Sequence, residues 1–97
     1  MDKKERESQL LEELNEGKEA KNLANNPVWK RTIEELETYY IDSIRSGSWF
    51  KKRAREENCR RLQVLDDLVT GINNKITMGE EARKRLEANK NGSKQRR

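Results

Sequence analysis

Histidine is absent from this sequence, and cysteine occurs once, at Cys59. The first absence removes the commonest general base and the commonest metal ligand. The second rules out an intrachain disulfide framework and any cysteine-rich zinc site. No run approaches the ~20 apolar residues of a membrane span. The opening residues, MDKKERESQ, contain no apolar signal core. A reducing, cytoplasmic setting without a membrane is therefore expected. Apolar residues are also scarce: Leu, Ile, Val and Phe total 18 of 97, too few for a large private core.

What is abundant is charge and helix-forming residues. Charged residues make up 41% of the chain, against roughly 25% in an ordinary globular protein. Ala, Glu, Lys, Leu and Arg total 50 of 97, the composition of long helices or coiled coils. The expected fold is all-α, with extended helices that finish burying their apolar faces against partners. Residues 1–47 carry 8 basic and 11 acidic side chains, whereas residues 48–97 carry 14 and 7. The basic C-terminal half suits an anionic partner or head-to-tail contacts between subunits. A solvated mixed-charge surface is the alternative.

Three regions are expected: a polar N-terminal helix or arm over 1–25, a helical-hairpin core over 26–72, and a short helix with a basic tail over 73–97. In the first, Leu10, Leu11, Leu14, Leu23 and Ala24 are the sizeable apolar anchors, and Gly17 is expected to interrupt the helix. Asn26 and Pro27 then form a cap and first helical residue. Trp29, Ile33, Leu36, Tyr40 and Ile44 recur at spacings of 4, 3, 4 and 4 and line one face of a helix ending near Arg45. Gly47 and Ser48 supply a tight turn and the next cap, which makes the following helix, from about Trp49 to Ile72, an antiparallel neighbour. Phe50, Ala54, Leu65, Leu68 and Ile72 share its apolar face, and Glu57 and Arg61 lie within that stripe. Residues 28–72 hold 18 of the 30 hydrophobic residues, so the core is expected there. Asn73 and Asn74 are expected to break or bend the chain. Thr77 and Glu80 fit a capping box for a short helix from about Met78 to Ala88, followed by a mobile tail.

Chemistry-bearing residues are few. Cys59 has no histidine to activate it and reads as a bland, partly exposed or interface thiol. The pairs Glu34-Glu35, Glu56-Glu57 and Asp66-Asp67 point about 100° apart on a helix and make no ready metal clamp. No catalytic, metal or cofactor site is expected, and the chain reads as a non-enzyme. The candidate nucleic-acid contacts are Lys51, Lys52, Arg53 and Arg55, together with Lys90, Lys94, Arg96 and Arg97 in the tail. They suit phosphates, whose contacts position a protein without reading sequence. The candidate oligomer or core residues are Trp29, Ile33, Leu36, Tyr40, Ile44 and Phe50 with Arg61, Leu65, Leu68 and Ile72. Among these, Arg61 is expected to form a partly buried ion pair with Glu37, Glu57 or both.

The stretch Asn26-Pro27-Val28-Trp29, followed by Leu36-Glu37-Thr38-Tyr39-Tyr40-Ile41-Asp42 and then by Arg60-Arg61-Leu62-Gln63-Val64-Leu65-Asp66-Asp67-Leu68 and Thr70-Gly71, resembles small helical proteins from the head and DNA-packaging gene regions of tailed bacteriophages. The resemblance covers about residues 26–71. It implies a viral protein of virion assembly or genome packaging, in the host cytoplasm or the virion, with homo-oligomers, packaging-motor or head proteins and duplex DNA as partners. Small terminase subunits, the first family implied, oligomerise through such hairpins. Residues 1–25 are too short and too acidic for the N-terminal helix-turn-helix that small terminases usually carry. A minor head component or assembly factor acting through protein contacts is the alternative.

Overall fold

A computed structural model describes residues 2–46 and 51–95. The described residues form three helices and no strand: α1 (Lys3–Ala24), α2 (Pro27–Ser46) and α3 (Lys52–Gln95). Local side chains account for the helix starts. Asp2 Oδ1 accepts the N–H of Glu5 at 2.8 Å, which satisfies one of the orphan donors of the first turn of α1. Asn26 Oδ1 accepts from the N–H groups of Val28 and Trp29 at 2.9 and 3.1 Å. Pro27 follows it as the first residue of α2, where a missing N–H costs nothing. The cap expected at Asn26 is therefore present. Gly47, Ser48, Trp49 and Phe50, which carry the expected turn and the expected start of the next helix, lie outside the described residues; α3 is described from Lys52.

Contacts divide the chain into two compact units, one of residues 1–23 with 72–97 and one of residues 24–71. In the first, α1 packs on the C-terminal stretch of α3. Leu10, Gly17 and Ala20 of α1 are buried, as are Gly79 and Ala82 of α3. Leu14, Ile76 and Leu86 are half-buried beside them. The two helices touch backbone to backbone where Gly17 meets Gly79. Small residues permit that approach, and van der Waals contact between main chains replaces a layer of large side chains. Lys75 and Glu16 form an ion pair at the edge of this contact, both about half exposed.

In the second unit, α2 packs on the first part of α3. Leu65 is its one buried hydrophobic side chain among the described residues, and α2 buries none completely. Trp29, Ile33, Tyr40 and Ile44 of α2 and Leu62 and Val69 of α3 are half-buried.

Four expectations are corrected here. Gly17 does not interrupt α1; the helix runs through it, because the crossing at Gly79 needs a residue without a side chain. Asn73 and Asn74 do not break the chain and lie inside α3. Each costs a fraction of a kcal/mol in helix propensity, up to about 0.7 relative to Ala. Ile72 and Ile76, four residues apart and half-buried, hold this stretch in place. Thr77 is not a cap, and no separate short helix starts at Met78: the Thr77 hydroxyl donates to the Asn73 carbonyl one turn back, at 3.2 Å. The backbone of residues 89–95 is helical rather than a tail. The buried side chains are also distributed differently from expectation. Among the described residues, the buried hydrophobic side chains Leu10, Ala20 and Ala82 lie outside the 28–72 stretch that was to hold the core, and Leu65 lies within it.

Candidate interaction surfaces

Lys51 precedes α3 and Lys52 and Arg53 open it, all three exposed. Helix starts ordinarily favour acidic side chains, because unpaired N–H groups concentrate partial positive charge there. The first turn of α3 has no acidic residue, so three cations and the helix dipole add at one place. Arg55 lies in the same turn and is half-buried, with its Nε enclosed and without a hydrogen-bond partner among the described residues. It lines an open groove of about 450 Å³ with Ile44, Lys52, Glu56, Cys59 and Arg60. Cys59 is exposed.

The remaining candidate phosphate contacts belong to the other unit. Lys90 is exposed on α3, and Lys94 lies in its last described turn. Arg96 and Arg97 lie outside the described residues.

The apolar candidates collect between α2 and the first part of α3. Leu36, Tyr40, Arg61, Val64, Leu65 and Leu68 line a second groove, of about 300 Å³. Residue numbers run oppositely along its two walls. Ile44 lies beside residues 52–60, and Leu36 and Tyr40 lie beside residues 60–68. Leu65 forms the floor, while Leu36 and Leu68 remain exposed and Ile72 is half-buried in the neighbouring unit. Trp29, Ile33 and Ile44 are half-buried on α2. Phe50 lies outside the described residues.

Arg61 does not form the expected buried ion pair with Glu37 or Glu57. It is exposed, and its guanidinium donates to Asn58 Oδ1 at 3.4 Å. The ion pairs among the described residues are Lys75–Glu16 and Arg83–Glu87. Arg61 projects from the helix about 40° off the direction of Leu65, so its long side chain clears the seam and reaches water.

Two features of these surfaces carry little sequence signal. Val64 is an exposed wall of the apolar groove, although periodicity places it merely beside the stripe. The contact of Gly17 with Gly79 joins residues 62 positions apart through the lack of side chains. Among the described residues, no three His, Cys, Asp or Glu side chains converge on a metal position. No helix among them is long and apolar enough to cross a membrane. Comparison of the chain with protein-family models, with curated proteins and with solved structures found no match.

Proposed function

We propose that the chain is a non-enzymatic, homo-oligomeric adaptor of bacteriophage DNA packaging, of the small-terminase kind. In this reading an antiparallel hairpin of α2 and the first part of α3 is the assembly element. Duplex DNA is held through its phosphates, without sequence readout, and the packaging motor or head proteins are the further partners. The host cytoplasm is the working site. The viral setting draws its support from the resemblance over residues 26–71.

The observation that carries the nucleic-acid reading is the start of α3. Lys51, Lys52 and Arg53 stand exposed where the helix dipole is already positive, and no acidic side chain lies in that turn. Mutual repulsion there is relieved when an anion arrives. A phosphate backbone offers a row of such anions, and neutralising it releases counterions. Binding of the full chain to random-sequence duplex DNA, followed by fluorescence anisotropy across a salt series, tests this. Affinity that falls steeply with salt and is equal for unrelated sequences is the expected result. Absence of binding at low salt contradicts it.

A second reading, a structural virion component or assembly factor, is favoured by a different observation. Val28, Tyr39, Val64 and Leu68 are exposed apolar side chains suited to protein contacts. It predicts stable protein complexes and no salt-dependent affinity for DNA.

A further inference from the structure

The groove beside the start of α3 gathers more positive charge than its own walls balance. Lys52, Arg55, Glu56, Cys59 and Arg60 line it from α3, and Ile44 lines it from α2. On α3 these positions recur at spacings of 3, 1, 3 and 1, so they fall within an arc of about 140° over about 12 Å of helix. Three cations and one carboxylate leave the groove with a net charge of +2.

Glu56 stands four residues from both Lys52 and Arg60, the spacing that suits ion pairs on a helix. It pairs with neither: the ion pairs among the described residues are Lys75–Glu16 and Arg83–Glu87. Arg55 is half-buried, and its Nε is enclosed without a hydrogen-bond partner among the described residues. A guanidinium withdrawn from water is ordinarily paired with an acid. Around Arg55 the groove instead adds two further cations. The same enclosure holds the side chain at the groove wall, so little of its freedom remains to be lost when a ligand arrives.

We propose that this groove is a seat for one phosphate group, held by Lys52, Arg55 and Arg60. The guanidinium forks and the ammonium suit the several oxygens of a phosphate. A phosphate monoester carries about −1.5 to −2 at pH 7, which offsets the charge of the groove. The groove is open and holds about 450 Å³, so the group can arrive as a free phosphate or as part of a larger molecule such as duplex DNA. The seat goes beyond the exposed row of Lys51, Lys52 and Arg53, with which it shares Lys52 alone.

Cys59 reports occupancy, because it is the one cysteine of the chain, is exposed and lines the same groove. The test is its rate of alkylation by iodoacetamide, an uncharged reagent, in inorganic phosphate and in sodium chloride at one pH and equal ionic strength. Phosphate is expected to slow the reaction saturably, and chloride is not. Arg60→Gln is expected to weaken the apparent phosphate affinity about two- to fivefold, and Glu56→Gln to tighten it by a similar factor. Both positions are exposed, so the two opposite shifts do not come from unfolding. Arg61→Gln removes the same charge from the wall of the other groove and is expected to change nothing. Equal rates in phosphate and chloride, or one common response from all three variants, would overturn the proposal.

Random-sequence duplex DNA in place of phosphate identifies the source of the group. Protection of Cys59 by bound duplex that is lost in Arg60→Gln, while anisotropy still shows binding, puts the DNA backbone in the seat. Bound duplex that leaves Cys59 unprotected assigns the seat to free phosphate and the DNA contact to the helix start. A chain that binds no duplex refutes the nucleic-acid reading, and the seat is then decided by the phosphate experiment alone.

Discussion

Gly17 of α1 and Gly79 of α3 meet so closely that a Cβ on Gly17 would stand 2.7 Å from the Cα of Gly79 and 2.9 Å from the Lys75 carbonyl oxygen. Both obstacles are backbone, which cannot swing aside. Gly17→Ala therefore sets two effects against each other. Alanine gains up to about 1 kcal/mol in helix propensity, while overpacking a close contact costs about 1–3 kcal/mol. The expected sum is a net loss of stability, measured by chemical denaturation. Gly71→Ala is the control. Gly71 also lies inside α3, but nothing stands within 4 Å of a Cβ there. That substitution is expected to stabilise the chain by about 0.5–1 kcal/mol.

The contrast between these glycines shows where sequence reasoning stops. The apolar spacing of Trp29, Ile33, Tyr40 and Ile44 is a period-3.6 signal, and these four residues are half-buried on one helix. Asn26 and Pro27 announce a helix start through their own local chemistry, and the start is there. Gly17 and Gly79 announce nothing, because a contact between bare backbones has no hydrophobic signature and its two halves lie far apart in the chain. The same holds for Asn73, Asn74 and Thr77. Each favours a break locally, but the half-buried Ile72 and Ile76 carry the helix past them. The basic cluster Lys51, Lys52, Arg53 and Arg55 was legible as charge. Its place near a helix start is also expected from the reading of a helix from about Trp49; the boundary at Lys52 puts Lys52, Arg53 and Arg55 in the first turn.

Asn26 and Thr77 form a second contrast. Asn26 accepts two backbone N–H groups at the start of α2, and Asn26→Ala is expected to cost about 1 kcal/mol. Thr77 has the local sequence of a cap but lies exposed within α3, with its hydroxyl turned back to Asn73. Thr77→Ala is expected to be neutral or to stabilise by a few tenths of a kcal/mol, up to about 0.7. Thermal denaturation followed by circular dichroism measures both. A loss of about 1 kcal/mol at Thr77 would restore a helix boundary there.

Lys75 and Glu16 pair across the glycine contact, but both side chains are about half exposed. Water and salt screen such a pair, and its contribution is about 0–1 kcal/mol. Lys75→Met is expected to change stability within that range, with the difference shrinking as salt is raised. A double-mutant cycle with Glu16→Gln isolates the pair. A coupling well above 1 kcal/mol would show the contact to be more enclosed than its exposure indicates.

If the start of α3 holds the DNA backbone, as proposed, removing its cations changes the salt slope of binding. Lys51→Gln, Lys52→Gln and Arg53→Gln in one chain leave the described buried contacts intact, because all three side chains are exposed. For duplex DNA each lost phosphate contact flattens the plot of log affinity against log salt by about 0.9, so loss of all three flattens it by about 2.7. A flatter slope is expected, with affinity reduced to a similar degree for unrelated duplexes. A slope identical to that of the wild-type chain would contradict it.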